Sequence, residues 1–200
     1  PAPDAAAREA ATNLERIRRL REVEQTILMR APEHDLEPDL SRISAVMELL
    51  GDPQRGFPVI HITGTNGKTT TARLIAHLLT AAGLRVGRFT SPHLHHIRER
   101  ISMGGEPISE QAFLDTFDEI ATYVDLVDAR SRSEGGPRMT YFEVLVAMAC
   151  AAFADAPVAV SNGRAYVRTS EAAMGRHGVA RASRAFGGGD SNESSFSKQD

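Results

Sequence analysis

The stretch from residue 58 to residue 90 constrains this chain more than any other. A short apolar run, Pro58-Val59-Ile60-His61-Ile62, leads through Gly64-Thr65-Asn66-Gly67-Lys68-Thr69-Thr70 into a segment of helical apolar spacing that Gly83 ends. Four to six apolar residues bounded by turn formers read as a strand buried on both faces, the kind found in parallel sheets. Arg85 to Thr90 reads as the next strand. Strand, helix and strand in that order make a right-handed βαβ unit, whose sheet needs helices on both faces. The expected class is therefore α/β: a parallel sheet flanked by helices, of the phosphate-loop nucleotide-binding type.

The loop itself carries chemistry. Glycines let successive backbone N–H groups turn inward without a Cβ clash and form a concave anion nest. The helix that follows aims its positive end at the same place. Lys68 then reaches the β- and γ-phosphates of ATP, and the Thr69 hydroxyl joins the shell of a Mg²⁺ ion. Lysine occurs at only two positions, Lys68 and Lys198, and arginine supplies every other cationic side chain. A compact ammonium on a flexible stem threads between phosphates where a planar guanidinium does not. The loop departs from the strict G-x-x-x-x-G-K-[ST] pattern, because Ile62 stands where the first glycine belongs. The bland alternative is a glycine turn that only joins strand to helix; the flanking elements and the lysine outweigh it.

Around this unit the periodicity predicts further elements. Leu14, Ile17, Leu20, Val23, Ile27 and Leu28 recur at helical spacing within a helix over 5–30. An acidic linker follows, bracketed by Pro32 and Pro38, and then a helix over 40–50 that stops at Gly51-Asp52-Pro53. A hairpin is expected around Gly104-Gly105, and Ser109 caps a helix running to Ala129. A polar loop over 130–138 precedes an apolar helix over 140–154. Residues 1–158 read as one ATP-binding domain. Residues 159–200, rich in Ala, Arg, Ser and Gly, carry no period and read as a disordered tail.

Bulk properties narrow the classes. A net charge of -3 argues against a nucleic-acid binder that works by bulk charge. No apolar run approaches the ~18 residues of a membrane span, and no secretory leader is visible. The single cysteine, Cys150, cannot form an internal disulfide, so a cytoplasmic setting is expected and Cys150 reads as an inert core residue.

Three ordered motifs then carry a family resemblance. The loop 64–70 resembles the ATP loop of the Mur ligase superfamily. Thr90-Ser91-Pro92-His93-Leu94, followed by Glu99-Arg100-Ile101, is similar to the Ω-loop signature of folylpolyglutamate/dihydrofolate synthases, and Thr140-Tyr141-Phe142-Glu143 is a third match. The resemblance covers residues 14–158 and corresponds to the family's amino-terminal part, which implies that the domain over 1–158 is a ligase domain and is incomplete. It implies ATP- and Mg²⁺-dependent ligation of L-glutamate to dihydropteroate or folate through an acyl phosphate, in a monomer. Carried over by position, Gly64, Thr65, Asn66, Gly67, Lys68, Thr69 and Thr70 bind ATP, with Lys68 also catalytic. Ser91 and Thr69 hold Mg²⁺. Thr140, Tyr141, Phe142 and Glu143 contact the pterin-bearing substrate, as does Asp35-Leu36-Glu37-Pro38, whose residues match the family poorly.

Plainer readings stand beside these. Thr140-x-x-Glu143 also fits a helix capping box, a role compatible with substrate contact. His93, His95 and His96 lack the carboxylate or cysteine that a tetrahedral metal site needs, so His93 reads as part of the loop's hydrogen bonding. After Val158 the family's further metal-binding residues are not found, and the composition is that of a GC-rich coding region read out of frame. The alternatives to a glutamate ligase are a catalytically inactive, truncated nucleotide-binding module and another Mur-type amide ligase.

Overall fold

In the computed structural model, the described residues are 3–32, 39–62, 66–156, 165–169 and 180–183. Helix α1 (Pro3–Leu28) and helix α2 (Ser41–Leu49) precede strand β1 (Val59–Ile62). Helix α3 (Lys68–Ala81), β2 (Val86–Phe89), β3 (Ile101–Met103), β4 (Glu106–Pro107), α4 (Glu110–Ser133), α5 (Tyr141–Asp155), β5 (Ala165–Thr169) and β6 (Ala180–Ser183) follow.

The strands form one sheet in the order β4-β3-β2-β5-β1-β6. Its centre is parallel: β5 pairs in parallel with β1 and with β2. Both margins are antiparallel, with β6 beside β1 and β3 beside β2. Alternate β2 residues face opposite layers, as a strand's two-residue period requires. Val86 joins Ile62, Ala72 and Ala76 in a small core under α3. Phe89 joins the larger core built by α1, α2, α4 and α5 on the other face.

Helix α5 is the hub of that larger core. Every residue from Glu143 to Phe153 is buried, as expected of a helix that is apolar all round. Its Phe153 ring meets Phe57 edge-on at 6.1 Å. A Cβ placed on Gly87 of β2 would lie 2.5 Å from that same Phe153 ring. Here glycine is required by close approach, not by turn geometry.

The helices follow the sequence reading closely, with three differences. In α1 only Leu20, Val23 and Ile27 are buried, while Leu14 is 69% exposed, so the first turns of the helix carry no core contact. Helix α4 runs on through Arg130–Ser133, where the reading placed a loop. Polar composition does not break a helix: Arg130 pairs with Glu134 at 3.2 Å, and the chain turns away only near Gly135, at φ +79°. Finally, β5 and β6 lie in the stretch read as a tail. The β1-α3-β2 crossover leaves a one-strand slot between β1 and β2, and β5 fills it. Backbone groups of two facing strand edges reward any extended segment that pairs with both. The rest of 159–200 lies outside the described residues.

Candidate nucleotide and substrate site

The βα turn after β1 begins outside the described residues, which include neither Gly64 nor Thr65. From Asn66 onward its geometry is clear. Gly67 is the N-cap of α3 in the left-handed conformation, φ +76°, and makes no side-chain cap bond of its own. Lys68 is the first helical residue and is half-buried, while Asn66, Thr69 and Thr70 are exposed. The other long helices behind this site begin differently. Ser109 Oγ accepts the Ala112 N–H at 3.1 Å at the start of α4, and Thr140 Oγ1 accepts the Glu143 N–H at 3.1 Å at the start of α5. Among these three helices, α3 alone has an N-cap residue with no side chain to offer its first turn. A cap residue that supplies no side-chain oxygen suits a helix end that is to hold an anion.

Strand β2 delivers the chain into the loop of residues 90–100. Thr90 is buried, and its N–H donates to the Arg100 carbonyl at 2.9 Å, closing the loop at its base. The Ser91–Pro92 peptide is cis. Two side chains then organise the interior. The Glu99 carboxylate accepts the N–H groups of Leu94 at 2.8 Å, His95 at 3.0 Å and His96 at 3.0 Å. These backbone donors, led by Leu94, hold the Glu99 carboxyl down at about 2. Arg100, only 4% exposed, donates from Nε to His93 Nδ1 at 2.9 Å and from a terminal nitrogen to Ser91 Oγ at 3.4 Å. Burial, followed by the Arg100 charge, pushes the His93 imidazole below its ordinary range.

Arg100 also reaches the third motif. Its guanidinium lies 5.2 Å from the Tyr141 ring centroid and donates to the Tyr141 hydroxyl at 3.5 Å. Phe142 meets Phe89 edge-on at 5.5 Å, fixing the start of α5 against the end of β2. The capping box at Thr140 and Glu143 is complete: Glu143 accepts the Thr140 N–H at 2.7 Å. Glu143 also pairs with Arg42 of α2 at 3.2 Å, both side chains being nearly enclosed. Below them Asp128, 2% exposed, accepts from Arg30 at 2.8 Å and from the Met139 N–H at 2.7 Å.

The structure thus joins Ser91, His93, Arg100 and Tyr141 in one hydrogen-bonded cluster. Asp35, Leu36, Glu37 and Pro38 lie outside the described residues. Sequence reasoning assigned no individual role to Arg100 or Glu99, and it missed Arg42, Arg30 and Asp128. The Glu99-Arg100-Ile101 motif was a usable signal for the first two. For the others nothing local distinguishes a buried arginine from a surface one. Among the described residues no group of three or more His, Cys, Asp or Glu side chains is arranged to hold a metal ion.

The Mur ligase middle domain family matches residues 62–124, from the end of β1 to within α4. Fold and match together define a Mur-type ligase domain. The relatives that the chain matches are named as folylpolyglutamate/dihydrofolate synthases. The chain is 53% identical over 145 residues to the dihydrofolate synthase/folylpolyglutamate synthase of Mycobacterium tuberculosis, covering 71% of this chain and 30% of that protein. It is 36% identical over 120 residues to the Bacillus subtilis protein of the same name, covering 60% of this chain and 27% of that one. Among solved structures, M. tuberculosis folylpolyglutamate synthase complexed with ADP superposes with a TM-score of 0.70 at 48% identity, over 78% of this chain and 33% of that one. The Thermotoga maritima folylpolyglutamate synthase gives 0.63 at 32% identity, over 74% and 32%. The chain spans about a third of the length of these relatives.

Proposed function

We propose that this chain is the nucleotide-binding part of a ligase that joins L-glutamate to dihydropteroate, to folates or to both, with ATP consumed through an acyl phosphate. The observation that carries the reading is the start of α3, where Gly67, in the left-handed conformation and with no side chain to offer the first turn, is followed at once by Lys68. The similar M. tuberculosis enzyme was crystallised as a complex with ADP, in line with a nucleotide at this turn.

The chemistry fits such a site. A carboxylate is a poor electrophile, and transfer of the γ-phosphoryl group to one of its oxygens supplies a good leaving group. The amine of L-glutamate then attacks the acyl carbon, releasing phosphate and forming the amide. Little covalent work falls to the protein, which positions reactants and neutralises charge. Lys68 and the first-turn amides of α3 take the phosphate oxygens. Arg100 acts at one remove: it holds Ser91 and His93 in place and stacks on Tyr141, coupling the nucleotide-side loop to the α5 face proposed for the pterin. Thr140 and Glu143 frame that face, and the Arg42 pair fixes the direction of Glu143.

Mg²⁺ suits this donor set in one form only. Thr69 and Ser91 offer hydroxyl oxygens, and Mg²⁺ bound chiefly through nucleotide phosphates and waters needs few protein ligands. When bound with ATP it neutralises charge on the transferring phosphoryl group. A donor set this thin favours a second reading, nucleotide binding without turnover. Thermal stabilisation by MgATP with no glutamate-dependent ADP release is the result that selects it. No helix among the described residues is long and apolar enough to cross a membrane. A cytoplasmic monomer is part of the proposal.

The deciding experiment is a calorimetric MgATP titration of Lys68→Ala. Loss of a charge-assisted contact of about 1.5–3 kcal/mol weakens binding roughly tenfold to a hundredfold. Unchanged affinity removes the phosphate role. Labelled glutamate offered with dihydropteroate, with folate or with a uridine-linked peptidoglycan precursor then separates the substrate classes.

A further inference from the structure

A cationic cavity lies along α3 beyond its first turn. It has a volume of about 220 Å³ and opens between the outer flank of α3 and the β3–β4 hairpin. Its walls include Arg73 and His77 from α3, Arg88 from β2, Ser102 from β3, and the turn glycines Gly104 and Gly105. Strand register explains the gathering. Arg88 is paired with Ser102 across the β2–β3 ladder, so both side chains stand on the α3 face of the sheet. Arg73 and His77 are four residues apart, so both lie on one side of α3.

Two features set this cavity apart from an ordinary solvated surface. Its lining holds two guanidinium groups and an imidazole and no acidic side chain. The Arg88 Nε is buried without a hydrogen-bond partner among the described residues. Arg30 and Arg98 also have an unpartnered Nε, but each forms an ion pair, with Asp128 and Glu110 respectively, whereas among the described residues no carboxylate lines this cavity. Burial, and after it the neighbouring Arg73 charge, lowers the proton affinity of Arg88. Two like charges held together over a concave surface repel unless an anion sits between them.

We propose that this cavity is a binding site for a compact oxyanion, a phosphate or carboxylate group held in the fork between Arg73 and Arg88 with His77 and Ser102 beside it. Guanidinium groups suit such ligands because their planar N–H pairs match two oxygens at once. The hairpin glycines leave that side of the entrance free of side chains. This site is separate from the turn that begins α3: Arg73 is five residues beyond Lys68, about 7.5 Å along the helix axis, and the cavity extends further, to Thr80. It does not depend on the ligase reading.

The test is NMR titration of the 200-residue chain with inorganic phosphate and, separately, with citrate, following the amides of Gly104 and Gly105. Saturable shifts are expected with at least one anion, and the ligand that saturates identifies the source chemistry. Arg88→Gln and Arg73→Gln are each expected to weaken binding about tenfold, the loss of one charge-assisted contact. Arg73 is exposed on α3, so its variant keeps the comparison valid if Arg88→Gln does not fold. Lys68→Ala is expected to leave these shifts in place. Absence of saturation with both anions overturns the proposal. So does saturation that survives Arg73→Gln undiminished or disappears in Lys68→Ala.

Discussion

Asp128→Ala tests the packing beneath the site. Asp128 is 2% exposed and accepts three hydrogen bonds: from Arg30 at 2.8 Å, from Arg138 at 3.2 Å and from the Met139 N–H at 2.7 Å. Removing the carboxylate leaves the Arg30 guanidinium buried without its counter-charge, a change that costs about 3–5 kcal/mol. The Met139 amide loses its acceptor in the same step, worth about 1–3 kcal/mol if water does not replace it. The two costs share one relaxation and do not add in full, so about 4 kcal/mol is expected. With a urea m-value near ~2 kcal/mol/M, the unfolding midpoint falls by about 2 M. The control is Arg30→Met combined with Asp128→Leu. It removes both buried charges and leaves the Met139 N–H and the Met139 carbonyl, which accepts from Arg30 at 3.2 Å, without these partners, so it should recover part of the loss. Arg138 is 52% exposed, and Arg138→Ala should cost under about 1 kcal/mol. A single-variant loss below about 1 kcal/mol, or a double variant no more stable than Asp128→Ala, refutes the account of a buried, mutually dependent pair.

Three further outcomes are expected. Gly87→Ala places a methyl group against the Phe153 ring, 2.5 Å away before relaxation, and should cost about 1–3 kcal/mol by urea unfolding; a neutral result means that β2 and α5 part without strain. The Glu99 carboxyl is held at about 2, below its usual value, by the backbone donors of Leu94, His96 and His95. A depressed folded-state pKa gives order that is present above the ordinary carboxyl range and lost as pH falls toward about 2. The amide shifts of residues 94–96 should therefore titrate near about 2, and a midpoint near the ordinary value sinks the claim. Arg100→Gln removes a charge that depresses His93, so the His93 imidazole should titrate higher, short of its ordinary value while burial persists; no movement in a ring-proton titration counts against Arg100 as organiser of the loop.

How much of this was legible in the residues follows from where the controlling interactions lie. Helix α5 was expected over 140–154 and runs from Tyr141 to Asp155, because its signals are local: a Thr140-x-x-Glu143 cap and an unbroken apolar run. The start of α3 at Lys68 was legible for the same reason. Strand β5 was not. Ala165-Tyr166-Val167-Arg168-Thr169 sits among Ser, Gly and Arg, and what makes it a strand is the slot between β1 and β2, more than seventy residues earlier in the chain. Arg100 lies between these cases. Its motif was visible, but its contacts to Ser91, His93 and Tyr141 bridge two motifs, and a role spread over 50 residues leaves no periodic trace in any of them.

The same division explains why the candidate site sits where it does. Serine and threonine caps are the cheapest way to satisfy a helix's first turn, and α4 and α5 both use one. A cap of that kind at α3 would occupy the amides that an incoming phosphate needs. Gly67 avoids this, because its left-handed backbone bends the chain into the helix without supplying a side-chain oxygen. Replacing Gly67 with serine would offer such an oxygen, but at φ +76° a Cβ is strained even though nothing within 4 Å opposes it. The residue that best suits an open anion site is thus also the one that the backbone conformation demands. The backbone conformation accounts for the glycine but not for the lysine that follows it at once, in a chain whose other cationic side chains are arginine apart from Lys198; the proposed phosphate contact accounts for both.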